Sequence, residues 1–290
     1  MSANVLFVFG LGFSARTLAM RLMAKGWVVR GTTRGAEKAQ TLHAAGIDVC
    51  LFDSVSPLVD PNVLDGVTHL LSSVPPGADG DPVLDFHCKD IAARAEQIVW
   101  AGYLSTTGVY GDRGGDWVDE TSLLYPTSER GARRVAAEAS WCGLHREHAL
   151  PVHLFRLAGI YGPGRNALET VRQGKARRIV KEGQVFSRTH VDDIAAVLKA
   201  SIEQPNPGTA YNVCDDDPAP PQDVVLHACE LLGVTPPPEI PFAEAKLSAM
   251  ARSFYGESKK VSNTRIKEEL GVVLKYPDYR AGLAALLADS

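Results

Sequence analysis

The stretch Val5-Leu6-Phe7-Val8-Phe9-Gly10-Leu11-Gly12-Phe13-Ser14-Ala15 decides the fold: an apolar run breaks at glycines and opens into an amphipathic segment. A buried strand passing through a glycine turn into a helix is the first step of a parallel sheet covered by helices. In the Gly10-x-Gly12-x-x-Ala15 pattern, Gly10 makes the tight turn and Gly12 lets the backbone approach a pyrophosphate. The small Ala15 lets helix and strand pack closely. Backbone amides at the helix N-terminus then face the anion, so Gly10, Leu11, Gly12, Phe13, Ser14 and Ala15 form the expected cofactor loop.

Outward from this loop, short apolar runs alternate with amphipathic stretches. The pattern predicts strands at Val5–Phe9, Val28–Thr32, Asp48–Leu51, His69–Ser72, Trp100–Ser105 and Val152–Leu157. It predicts helices at Ala15–Lys25, Ala36–Ala45, Asp85–Ile98 and Ser128–His148. The fold class is therefore α/β, a doubly wound, Rossmann-like parallel sheet with a smaller mixed C-terminal lobe. Prolines in Asp215-Asp216-Asp217-Pro218-Ala219-Pro220-Pro221 and Thr235-Pro236-Pro237-Pro238 interrupt the later pattern. Residues 1–164 and 189–214 are assigned to the dinucleotide-binding domain, and 165–188 and 215–290 to the substrate-side lobe.

The second strand distinguishes NAD from NADP. It ends Arg30-Gly31-Thr32-Thr33-Arg34, about 20 residues past the glycines, where an acid would bind a ribose 2′-hydroxyl and a base a 2′-phosphate. Thr33 and Arg34 suit the phosphate and favour NADP, with NAD the lesser choice; the alternative for Arg34 is a solvated loop charge. Asp53, beyond the third strand, either accepts from the adenine amino group or caps the following turn. Ser73 and Val74, after the fourth strand, lie along the cofactor by topology.

The chain has 290 residues, 45% hydrophobic, with a formal charge of −4, so it offers no broad positive field for a nucleic acid. The run Lys175-Ala176-Arg177-Arg178 is short and reads as a solvated face. Five scattered cysteines lack zinc spacing and read as reduced thiols. The N-terminus from Met1 has no basic segment ahead of its apolar run, and no stretch approaches membrane-spanning length, which points to the cytoplasm and a small-molecule ligand. The C-terminal segment from Tyr279 to Leu287 reads as an amphipathic helix packed on the body.

Five further pieces follow in order: Ser105-Thr106-Thr107-Gly108-Val109-Tyr110-Gly111, Arg156-Leu157-Ala158-Gly159-Ile160-Tyr161-Gly162-Pro163-Gly164, Arg188-Thr189-His190-Val191-Asp192-Asp193, Tyr211-Asn212-Val213 and Lys260-Val261-Ser262-Asn263-Thr264-Arg265. With the glycine loop, they resemble the extended branch of the short-chain dehydrogenase/reductase superfamily, the NAD-dependent epimerase/dehydratase family, over nearly the whole chain. The resemblance implies that Thr106 polarises a substrate hydroxyl or carbonyl. It also implies a YxxxK motif further on, but Arg130-Gly131-Ala132-Arg133-Arg134 stands there, with Arg130 for the tyrosine and Arg134 for the lysine.

A guanidinium does not cycle its proton near neutrality, so a substitute is needed. Glu129 is the candidate, with Tyr110, Tyr125 and Tyr161 bordering the same cleft in the family fold. Each also has a structural reading, Glu129 as an acid in the first turn of a helix and the tyrosines as packing residues. The resemblance assigns Arg165 and Arg188 to the diphosphate of a nucleotide-linked substrate, the alternative being solvated charges or ion pairs with Asp192 or Asp193. It places His190 in a structural turn, and it implies homodimers formed through Asp85–Ile98 and Ser128–His148. Two functions result: an NADP-dependent oxidoreductase or epimerase/dehydratase-like enzyme on a small polar substrate, or a non-catalytic NADP(H) sensor.

Overall fold

Thirteen strands and ten helices follow one another in a computed structural model that describes residues 4–290; Met1, Ser2 and Ala3 of the N-terminal reading lie outside the described residues. The chain runs β1 (Val5–Phe9), α1 (Phe13–Met23), β2 (Val28–Thr33), α2 (Ala36–Ala44), β3 (Asp48–Leu51), β4 (His69–Ser72), α3 (Pro82–Ala92) and β5 (Trp100–Thr106). It continues through β6 (Trp117–Val118), α4 (Glu129–His148), β7 (Val152–Leu157), β8 (Gly159–Tyr161), α5 (Ala167–Arg172), β9 (Arg178–Val180), β10 (Arg188–His190), α6 (Val191–Glu203) and β11 (Ala210–Val213). Last come α7 (Pro221–Leu232), β12 (Glu239–Pro241), α8 (Ala249–Phe254), β13 (Lys260–Val261), α9 (Thr264–Glu268) and α10 (Tyr279–Ala288).

These elements fall into two compact units. The first holds the residues up to Thr106, with Arg133–Arg156 and Ala195–Tyr211; the second holds Thr107–Ala132, Leu157–Ile194 and Asn212–Ser290.

The central sheet is parallel and seven-stranded, in the order β11-β7-β5-β4-β1-β2-β3. From β1 the chain winds outward through β2 to β3, then returns to the other side of β1 as β4. The order therefore reverses between β1 and β4, the place where a doubly wound sheet opens a crevice at its carboxyl edge. β4 is buried throughout, as a strand covered on both faces should be. Helix α1 buries Ala15, Leu18, Ala19 and Leu22, an i, i+3, i+4, i+7 stripe that explains why it forms against the sheet.

The helix boundaries depart from the periodicity. α3 spans Pro82–Ala92 rather than Asp85–Ile98, because Asp81 caps it through the Val83 and Leu84 amides and Pro82 takes the first helical turn. α1 begins at Phe13, two residues early, because Gly12 is its N-cap.

The second unit has its own core of Tyr161, Leu168, Ala219, Ala228, Tyr279, Leu283 and Leu286, to which α10 contributes its apolar face. Its strands pair in parallel twos: β8 with β10, β9 with β12 and β6 with β13. Among the described residues no helix is long and apolar enough to cross a membrane.

Candidate functional site

In the first unit the loop after β1 is fixed by backbone bonds. The Gly10 amide donates to Thr32 Oγ1 at 2.8 Å, and the Leu11 amide donates to the Thr32 carbonyl at 2.8 Å. From the other side, Ser73 Oγ donates to the Gly10 carbonyl. Gly10 adopts φ +82°, and a Cβ there would meet Val74 Cγ2 at 3.1 Å and Ser73 Oγ at 3.2 Å. Only glycine suits both that dihedral and that space.

Gly12 differs. A Cβ on it would meet nothing of the protein closer than 3.8 Å. As N-cap of α1 it supplies no side-chain hydrogen bond, and the first turn carries no acid, so the positive end of the helix is uncompensated. Ser14 and Ala15 are buried under it.

At the end of β2, Thr33 is buried and Arg34 exposed. Sequence reasoning missed Lys38 and Arg16 as neighbouring charges. The Lys38 ammonium on α2 has its pKa lowered, first by burial and then by the charges of Arg16 on α1 and Arg34. The charges of Arg16 and Arg34 thus both bear on Lys38. Arg16 was legible as the residue after Ala15, and Lys38 as a helix residue four past Arg34. Asp53 is solvent-exposed, and its Oδ1 accepts from the Val55 and Ser56 amides at 2.9 and 3.1 Å, capping the turn; these bonds lower its pKa.

Thr106 closes β5 and is half-buried. Arg134, in the place of the expected lysine, points at the same strand: its Nη1 donates to Tyr103 Oη at 2.9 Å and to the Leu104 carbonyl at 2.6 Å. Beneath it lies a buried network absent from the sequence reading. Ser105 Oγ donates to Glu138 Oε1 at 2.5 Å, and Arg156 Nη2 donates to Glu138 Oε2 at 2.8 Å, with both charged side chains less than a tenth exposed.

In the second unit, Glu129 sits exposed in the first turn of α4, and the Arg130 guanidinium lies 4.5 Å from the centre of the Phe254 ring. Tyr110 Oη donates to Asn212 Oδ1 at 2.7 Å, and His190 is packed between Tyr161 and Tyr276, so both are part of the packing. Tyr125 is exposed. Arg165 is exposed in the turn after β8.

Arg188 makes no pair with Asp192 or Asp193; its Nη1 donates to the carbonyls of Phe186 and Ala219 at 2.8 and 3.0 Å. Asp192 pairs with Lys275, and Asp193 accepts from the Lys275 and Tyr276 amides. Burial pulls the pKa of Arg188 down, and the nearby Asp215 opposes that. The expected loop residues Gly10, Ser73, Val74, Thr33 and Arg34 thus lie together in one unit, Arg188 and Arg165 in the other, and Thr106 and Glu129 are divided between the two.

Residues 6–214 match the profile of the NAD dependent epimerase/dehydratase family. Protein YeeZ of Escherichia coli (strain K12) is 31% identical over 283 residues, covering 93% of this chain and 96% of its own. The structure of a functionally unknown conserved protein from Silicibacter pomeroyi DSS is 53% identical and covers 99% of both chains, with a TM-score of 0.91. UDP-glucuronic acid 4-epimerase from Bacillus cereus, solved with UDP-glucuronic acid and NAD, superposes with a TM-score of 0.77 over 98% of each chain. At 18% identity it shares the fold alone.

Proposed function

The chain belongs to the NAD dependent epimerase/dehydratase family, and from that premise we propose that it is a cytoplasmic NADP(H)-dependent oxidoreductase or epimerase/dehydratase-like enzyme. Its substrate is small, polar and anionic, of the nucleotide-linked kind. The observation that carries the NADP reading is the exposed Arg34 at the end of β2, whose charge, with that of Arg16, bears on Lys38 and lowers its pKa. Like charges acting on Lys38 repel it, and a 2′-phosphate relieves that repulsion while filling the guanidinium donors. The open space at Gly12 and the uncapped start of α1 fit a pyrophosphate.

NADP(H), when bound, supplies or accepts hydride. The chain's own part is to position and to move a proton. Thr106 polarises the reacting oxygen, and Glu129 is the proton carrier in place of the missing tyrosine, since a guanidinium does not serve as a general base. Arg165 and Arg188 hold the anionic group. Two copies pair through α3 and α4 in the same reading.

A second reading, a non-catalytic sensor of the NADPH/NADP ratio, is favoured by Arg134. Its bonds to Tyr103 and Leu104 tie it to the protein where the family's lysine assists chemistry. A sensor requires different affinity or shape with the two redox forms, so equal binding without a change in shape removes it.

The test is a parallel titration of the protein and of Arg34→Asp with NADPH, NADP, NADH and NAD. Tight binding of the phosphorylated pair, lost in the variant, is the expected result. Binding of none of the four overturns both readings.

A further inference from the structure

In the first unit, one side chain of α3 touches both the residue that precedes the glycine loop and the two ends of the loop that follows β3. His87 is 2% exposed. Its ring stacks on Phe9, next to Gly10, with centres 5.6 Å apart, and leans on Phe52, the residue after β3, at 5.7 Å. Its Nε2 accepts from the Leu58 amide at 3.1 Å. An amide can only donate, so Nε2 is the bare nitrogen; Nδ1 carries the proton and donates to Asp90 Oδ2 at 3.0 Å.

Phe52 and Leu58 bracket residues 53–57, none of which is buried. Within this loop Asp53 caps the turn, and Ser54 adopts φ +70°, a left-handed dihedral that a residue with a side chain keeps only where its surroundings hold it. A loop that buries no side chain takes its position from the points where its ends are fastened. At the first end the Phe52 amide donates to the Thr33 carbonyl at 3.0 Å, which sets the loop beside Thr33 and Arg34. At the second end Leu58 is buried and its amide is held by His87.

The strands on either side of β2 are β1 and β3. In a doubly wound sheet the ligand lies outside the carboxyl ends of the strands, so a group bound at the end of β2 is flanked by the glycine loop and by residues 53–57. A 2′-phosphate at Arg34 is attached to the adenosine half of the dinucleotide, and the glycine loop takes the pyrophosphate, which leaves residues 53–57 to the base. Val55, exposed, is the apolar side chain that this loop offers it. We propose that His87 is a positioning residue for NADP(H): it holds residues 53–57 in register with the glycine loop, through Phe9 on one side and through Phe52 and the Leu58 amide on the other. This rests on the reading of Arg34 as the 2′-phosphate ligand and adds to it a buried residue that never touches the cofactor.

The test titrates NADPH and adenosine 2′,5′-bisphosphate, the half that carries the 2′-phosphate, calorimetrically into the whole chain, into His87→Phe and into His87→Gln. Each is measured where circular dichroism shows it folded. Phenylalanine keeps the stacked ring and removes the acceptor, and glutamine restores an acceptor for the Leu58 amide. His87→Phe should weaken both ligands by the same factor, about tenfold, and His87→Gln should bring both back to within about threefold of the wild type. Hydrogen exchange followed by NMR should show the bisphosphate slowing the Val55 and Ser56 amides of the wild type. A His87 that serves the fold alone would lower the melting temperature of His87→Phe and leave its bisphosphate affinity intact; that result overturns the proposal and leaves the Arg34 reading standing. So does a loss confined to NADPH, or one that His87→Gln fails to recover. If His87→Phe does not fold, the wild-type exchange decides: slowing of Val55 and Ser56 supports the proposal, and unchanged rates overturn it. A wild type that binds neither NADPH nor the bisphosphate overturns both.

Discussion

Two places on the first unit treat their polar groups in opposite ways. At the Ser105–Glu138–Arg156 network the buried charges and the hydroxyl are paired within the protein, and Arg134 Nη1 is tied to Tyr103 and Leu104. At the glycine loop, the N-terminus of α1 has no side-chain cap and no acid, and Gly12 leaves open space. A group satisfied internally holds the fold, and a group left open is available to a ligand. The difference separates an arginine that looks catalytic by position from a backbone that binds by its gaps.

The largest effect comes from breaking the satisfied side. Glu138→Ala strands the buried Arg156 charge, so chemical denaturation should show a loss of about 3–5 kcal/mol. Nucleotide affinity, measured where the variant is still folded, should be unchanged; a selective loss of binding would dissolve the distinction.

Asp215 extends the contrast to the second unit. Its pKa is raised, so the folded state keeps a proton that the unfolded chain has released. Stability therefore falls as pH rises from the ordinary carboxylate range to about 8, and is flat above that. Asp215→Asn should remove this slope: thermal melts should show no gain near pH 4 and a gain on the order of 3 kcal/mol at pH 8.

The open side is broken by Gly12→Val. The added atoms enter space the protein does not use, so the melting temperature should hold while NADPH affinity falls about a hundredfold, roughly 2.7 kcal/mol. A matching loss of stability would show that the loop serves the fold. Arg34→Asp should lower NADPH affinity about tenfold or more and leave NADH affinity nearly unchanged, since only the 2′-phosphate is lost as a partner. The smallest effect belongs to Arg134→Lys, which keeps the charge but loses the forked bond to Tyr103 and Leu104. A loss of about 1 kcal/mol in stability with unaltered nucleotide binding is expected.

Much of this was readable from the chain. β1, β3, β4 and β7 lie where alternation and apolar runs put them: β1, β4 and β7 because strands in the middle of the sheet are buried and mainly apolar, and β3 at the sheet edge despite its exposed Asp48 and Leu51. Helix ends were less legible, since they depend on single caps such as Asp81 and Gly12 rather than on periodicity. Glu138 looked like any helix acid, and nothing local reveals that it meets Ser105 on β5 and Arg156 on the neighbouring β7.

By itself the sequence determined the parallel α/β order, the glycine loop and the replacement of the tyrosine and lysine by Arg130 and Arg134. Those follow from local pattern and residue chemistry. Only the tertiary structure decided which charges are spent and which remain. It let the charges of Arg16 and Arg34 bear on Lys38, turned Arg134 onto Tyr103, and, among three identical neighbours, gave Asp216 and Asp217 side-chain partners while burying Asp215 with no side-chain hydrogen bond among the described residues. Identical side chains in a row carry identical local information, and burial together with the reach of distant partners alone sets them apart.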